Sequence, residues 1–169
     1  MWQQVLTWTP TVLLIVLAGG LAGVGWYALA PTTVGQYVRD MVRYPVPDYP
    51  PASVAALYVV IVLVAGLLAG IPVVARQRDR PLARLVVHCV AGVLAAGATY
   101  VVGYILGPAP EAVQIAADPG HVQVPLVLPT PLLVLVWPAA TASLVTIGLL
   151  LSAVLYPEPA GVRSPGHAG

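Results

Sequence analysis

The chain has few side chains able to do chemistry: three histidines, six carboxylates and one cysteine in 169 residues. His88 and Cys89 sit together inside a long apolar stretch. An ionisable residue buried in a membrane segment is by default a candidate for a proton or ligand role. His88 follows Pro81 by seven residues. At helical rise this places it on the order of 10 Å from the segment's start, close to the headgroup boundary. A structural or interfacial histidine is therefore the reading favoured over a proton-coupled one. Cys89 reads as a small apolar group.

The other candidates lie in segments between apolar stretches. Arg39, Asp40, Arg43 and Asp48 fall in one such segment, and Glu111, Asp118 and His121 in another. Asp118 and His121 either share a helical face or flank a turn. One histidine with no neighbouring cysteine falls short of a zinc site. No P-loop, dinucleotide fingerprint, Cys-x-x-Cys or His-Glu-x-x-His is present, so neither a cofactor nor a metal is expected. Both segments read as solvated loops, and no catalytic residue is assigned.

These residues must be positioned by elements that live in lipid. Hydrophobic residues make up 59% of the chain and charged residues only 8%, with a mean hydropathy of +0.91. A soluble domain carries about 25% charged residues. A net charge of +1 gives no basic surface for nucleic acid. All seven basic residues are arginine, and lysine, asparagine and phenylalanine are absent, a bias typical of a GC-rich genome.

A spanning helix needs about 20 mostly apolar residues. Four stretches qualify, 10–30, 52–75, 82–106 and 131–156, and the one Asp, Glu, Lys or Arg within them is Arg84, at the edge of the third. The expected fold is an all-α integral membrane protein, a bundle of four transmembrane helices over residues 1–156, with 157–169 a disordered cytoplasmic tail. Thr9-Pro10 and Thr130-Pro131 read as helix starts, a hydroxyl cap followed by proline at the first helical position. Leu29-Ala30-Pro31 and Leu106-Gly107-Pro108 read as stops. Pro72 is expected to kink or end the second span. Trp137-Pro138 inside the fourth allows two readings: a helix from Pro131 bent at Pro138, which is favoured, or a span beginning at Pro138 after an extended apolar segment. The first stretch lacks a preceding positive charge and is longer than a signal core, so it reads as a retained span.

The turn between the second and third spans and its flank hold Arg76, Arg78, Arg80 and Arg84, and the tail adds Arg163. The opposite side has Arg39 and Arg43. Five arginines against two place the short turn and both termini in the cytoplasm. Trp2, Trp8, Trp26, Tyr27, Tyr100, Tyr104 and Tyr156 occupy interfacial belt positions.

Tyr27, Leu29 and Pro31 align with Tyr104, Leu106 and Pro108, and each set precedes an outer loop that ends rich in proline. The two hairpins are either a parallel repeat or unrelated hairpins with similar stop signals. Gly19 and Gly23, Gly66 and Gly70, and Gly103 and Gly107 each mark one helix face by Gly-x-x-x-Gly spacing. Ala139 with Ser143, and Gly148 with Ser152, mark the fourth span. Such faces let backbones approach in lipid, and packing within the bundle is preferred to a dimer interface.

Leu29-Ala30-Pro31, the Arg76–Arg80 turn, Leu106-Gly107-Pro108, Thr130-Pro131-Leu132 and Pro138-Ala139-Ala140 together resemble an uncharacterised actinobacterial family of small four-span membrane proteins. The likeness covers about residues 12–155. It implies an actinobacterial plasma membrane and carries no activity.

The functional expectation is a non-catalytic accessory or scaffold subunit, acting through helix faces and extracytoplasmic loops. Its partners would be the lipid bilayer and a membrane protein or a second copy of the chain, not nucleic acid. The alternatives are an oligomeric small-solute transporter or channel, and a membrane enzyme on a lipid-linked substrate that uses the outer acids and His121.

Overall fold

The computed structural model describes residues 2–31, 33–44, 50–75 and 81–155. Its long helices are α1 (Trp2–Leu29), α2 (Pro50–Ala75), α3 (Pro81–Leu106) and α5 (Val136–Leu155). A short α4 (Glu111–Ala117) and three strands, β1 (Val34–Val38), β2 (Met41–Arg43) and β3 (Val122–Gln123), lie between them. Four segments are long and apolar enough to cross a membrane, so this is a four-span α-helical bundle.

The spans associate chiefly as two parallel pairs, α1 on α3 and α2 on α5. In the first, Gly19 lies on the backbone of Ala95 and Gly23 on that of Thr99, where an added Cβ would stand 2.6 Å from the Thr99 carbonyl oxygen. In the second, a Cβ on Gly66 would stand 2.5 Å from the Trp137 carbonyl oxygen, and one on Gly70 would stand 3.0 Å from Leu144. Each pair carries the same polar clasp. Thr99 Oγ1 donates to the Gly19 carbonyl at 2.8 Å and shares its proton with its own helix at Ala95, 3.0 Å away. Thr141 Oγ1 does the same toward Gly66 at 2.8 Å and Trp137 at 3.2 Å. Close approach and the clasp depend on each other, because a hydroxyl reaches a neighbouring backbone only where no side chain intervenes.

Gly103 packs on the Trp26 ring and Gly107 on Leu126, so all six Gly-x-x-x-Gly glycines face partners inside the chain. On α5 it is Ala140 and Thr141, not Ala139 and Ser143, that are buried. Gly148 packs on Val74. The α1–α3 pairing, with Gly19 on Ala95, Gly23 on Thr99 and Gly103 on Trp26, brings the ends of the two helices to about the same level.

Two boundaries differ from the sequence reading. Thr9-Pro10 does not start the first helix, which begins at Trp2 and carries Pro10 inside it. The ring removes the bond to the Leu6 carbonyl, a loss that apolar helical residues on both sides outweigh. Pro72 lies inside α2, which ends three residues later at Ala75, the expected end of the second span. Thr130-Pro131 does start the fourth span, but as a 3-10 helix, Pro131–Leu135, with Thr130 Oγ1 accepting from the Leu132 N–H at 3.3 Å. The α-helix proper begins at Val136, so Pro138 falls in its first turn, where a missing N–H costs little.

Trp137 packs on Gly66 and Gly92, midway along α2 and α3. The α-helical part of span four therefore starts deep in the bundle. At about 1.5 Å per residue, α5 runs roughly 10 Å beyond the level of Val74. Above Trp137 the fourth position is filled by the 3-10 turn and by the extended segment before it, in which Val124 and Leu126 are buried.

The segments that follow α1 and α3 are more than plain solvated loops. β1 pairs antiparallel with β2, and on its other edge with β3, giving the order β2-β1-β3. Val34 pairs with Gln123 and Gly35 with Val122, joining the loop after α1 to the loop after α3. Together with α4 they form one cap over the end of the bundle that holds Leu29 and Leu106. The stretch 45–49, the arginines at 76, 78 and 80, Tyr156 and the 157–169 tail lie outside the described residues.

Candidate functional site

His88 occupies the α3 face turned toward α1 and α2 and is 7% exposed. Its Nδ1 stands 2.9 Å from the Arg84 carbonyl oxygen. A carbonyl only accepts, so Nδ1 is the donor in this bond. The depth of this residue was legible in the sequence. Its azimuth was not: the ring turns inward, against α1 and α2.

The ring lines a cleft between α1 and α2. These two helices meet near the cap, where Trp26 Nε1 donates to the Val54 carbonyl at 3.0 Å. The mouth of the cleft, about 350 Å³, is lined by Trp8, Arg84 and His88 among others, and the Arg84 guanidinium stands 6.0 Å from the Trp8 ring centroid. The inner part, about 330 Å³, is lined by Ala18, Leu68, Ala69 and Trp137, and the two parts share Thr11, Leu14, Pro72 and His88. Trp137 is 1% exposed. Its Nε1–H is the buried side-chain polar group without a hydrogen-bond partner among the described residues. An orphaned buried donor costs roughly 1–3 kcal/mol, so it marks a place where an acceptor belongs.

Trp26 is fully buried, not a belt residue. It meets Tyr58 edge-on at 5.0 Å, and Tyr58 donates its hydroxyl to the Ala96 carbonyl at 2.9 Å. Tyr27 and Tyr104, at 45% and 40% exposure, do face outward. A position near a helix end says how deep a ring sits and not which way it points.

In the cap, Asp118 and His121 flank a turn. Asp118 Oδ1 accepts from the Gly120 N–H at 2.9 Å, and its carbonyl accepts from the His121 N–H at 3.2 Å. Both side chains are exposed, and among the described residues no three His, Cys, Asp or Glu converge on a metal-sized site. The ordering contacts lie elsewhere. Gln114 donates from Nε2 to the Ala109 and Gln123 carbonyls at 2.6 and 3.1 Å, and its Oε1 accepts from the Gln123 N–H at 2.7 Å. Tyr44 donates to Glu111 Oε1 at 3.1 Å, tying the first loop to α4.

The β1–β2 hairpin turns through Arg39 and Asp40, with φ of 51° and 63°. Tyr37 donates to Asp40 Oδ1 at 3.2 Å, and that bond together with the carboxylate's charge raises the phenol pKa above its ordinary value. Val38 and Met41 pair across the hairpin and are exposed.

No family model, curated protein or solved structure matches the chain. Its assignment as a multi-pass membrane protein rests on the four apolar helices.

Proposed function

We propose that this protein is a non-catalytic accessory or scaffold subunit of the plasma membrane. In this reading both termini are cytoplasmic and the cap is presented to another membrane protein on the outer side. The distribution of arginines supports the orientation. The resemblance to an actinobacterial four-span family supports the membrane and carries no activity against this reading.

The observation that carries the proposal is the cap. Two loops separated by two spans fold onto one another and present a hairpin tip, whose two-residue turn takes positive φ at both Arg39 and Asp40 as a tight hairpin requires. Left-handed backbone costs a non-glycine residue about 1–2 kcal/mol, and Arg39 and Asp40 both adopt it. The tip displays Val38 and Met41 as an apolar pair beside one cation and one anion. Apolar groups ringed by charge on a water-facing surface mark a protein contact.

A photo-crosslinking residue at Met41, activated in intact cells, should yield one discrete adduct with a second membrane protein. The reciprocal crosslink from that protein should return this chain. The same probe at Gly25, which faces open space on α1, should give lipid adducts alone. Adducts at Met41 only with a second copy of the chain, or none, would overturn the accessory reading.

A further inference from the structure

We propose that the cleft between α1 and α2 binds an anionic phospholipid, with the phosphate at Arg84, a glycerol ester carbonyl accepting from the Trp137 indole N–H and one acyl chain laid along the apolar walls of the inner cleft. This site is independent of the cap and of the function proposed for it.

Three observations converge on that occupant. The first is shape. The cleft is continuous from Arg84 to Trp137, and its two parts, about 350 and 330 Å³, share four residues. Together they offer the room of an ordinary ligand site. The inner walls, including Leu14, Ala18, Leu68 and Ala69, are hydrocarbon and suit an acyl chain.

The second is the order of polar groups along α3. Arg84 and His88 are one turn apart on one face, and Trp137 abuts Gly92 a turn further in. A diacyl phospholipid presents the same sequence from the surface inward: phosphate, then glycerol ester carbonyls, then chain. Trp137 Nε1–H can only donate, and among the described residues it has no acceptor; a glycerol ester carbonyl would supply one.

The third is charge. Arg84 stands at the mouth, and the sequence places Arg76, Arg78 and Arg80 just ahead of α3. A guanidinium at the mouth of the cleft favours a lipid with net negative charge over a zwitterionic one. Trp8, beneath the Arg84 guanidinium, is at the depth where an indole ring prefers the headgroup region.

The test uses the full chain in nanodiscs containing equal amounts of phosphatidylglycerol and phosphatidylcholine, released into native mass spectrometry. The wild type should retain one phosphatidylglycerol in preference to phosphatidylcholine. Arg84→Gln should keep a bound lipid but lose roughly fivefold in that preference, the effect of one arginine near the surface. Ala18→Leu, which fills the cleft from an exposed position on α1, should abolish retention; Ala69→Leu fills it from the opposite wall. Thermal unfolding of each variant separates loss of binding from loss of fold, and at least one filling variant should remain folded.

Equal retention of the two lipids by the wild type would overturn the proposal. So would undiminished phosphatidylglycerol in a folded cleft-filling variant, which would move the lipid to the arginine turn outside the cleft. A partner helix or free fatty acid found in the cleft instead would also overturn it.

Discussion

Gly66→Ala probes the packing of the bundle most sharply. The new Cβ would stand 2.5 Å from the Trp137 carbonyl oxygen and 3.0 Å from Ala140 Cβ, where ordinary contact begins at 3.4 Å. The obstructing oxygen belongs to backbone, so no rotamer change relieves it. The helices must part by roughly 1 Å, which forfeits a quarter to a half of each dispersion contact along the seam. Overpacking of this sort costs about 1–3 kcal/mol. Separation also stretches the 2.8 Å bond from Thr141 to the Gly66 carbonyl, and interhelical bonds in membranes are worth about 0.6 kcal/mol on average. Against this, alanine gains up to about 1 kcal/mol of helix propensity over glycine. The balance is a net loss of about 1–2 kcal/mol. Gly25→Ala is the control, since nothing lies within 4 Å of its added Cβ, and it should be neutral or slightly stabilising. Reversible unfolding in mixed micelles, followed by circular dichroism, reads both. Equal stability of Gly66→Ala and Gly25→Ala would refute the packing argument. Full stability with loss of a crosslinked dimer would move the glycine face to an oligomer interface.

Other consequences follow from single contacts. Thr99→Val keeps the shape of α3 and removes its clasp on Gly19, so unfolding in the same micelles should show a loss of about 0.5–1 kcal/mol; no change would mean the clasp is incidental. His88→Gln retains a donor for the Arg84 carbonyl and should keep expression, fold and any cellular phenotype; a folded variant that reproduces the deletion phenotype would bring a proton-coupled or ligand role forward. Gln114→Leu removes the contacts joining α4 to β3, and amide exchange should accelerate in the cap while α2 and α5 stay protected; unchanged exchange in β3 would count against the clamp. A reporter after Arg78 should read cytoplasmic and one near Asp118 external, and reversed signals would invert the orientation.

Much of the bundle was legible because lipid imposes simple rules. Span length, the Leu106-Gly107-Pro108 stop and the Thr130-Pro131 start are local signals, and Gly-x-x-x-Gly spacing marks a helix face. What stayed hidden depends on azimuth or on distant pairing. Trp26 looks like a belt residue until its helix is rotated against Val54 and Tyr58. Trp137 looks like any aromatic in a span until the fourth helix is found to start deep in the bundle. The cap rests on β strands of two to five residues, too short for a periodic signal, and the β1–β3 pairing joins positions almost ninety residues apart. Asp118 and His121 drew attention as titratable side chains, whereas the cap is organised by Gln114 and Tyr44. Two polar groups of the cleft, His88 and Arg84, were visible, but nothing in their spacing announced the gap between α1 and α2 that unites them with Trp137.

The account stands on the two outer loops forming one folded cap outside the membrane, and paired cysteines test that directly. In a Cys89→Ser background, Val34→Cys with Gln123→Cys places thiols at residues paired across β1 and β3. If the cap lies in the oxidising compartment, the disulfide should form in cells without added oxidant. After trypsin cuts the arginine turn, the two halves should then migrate together on a denaturing gel and part only on reduction. A membrane-impermeant reductant applied to intact cells or spheroplasts should suffice to part them. Halves that separate without reductant, or a bond that only a permeant reductant reaches, would contradict the cap or its placement.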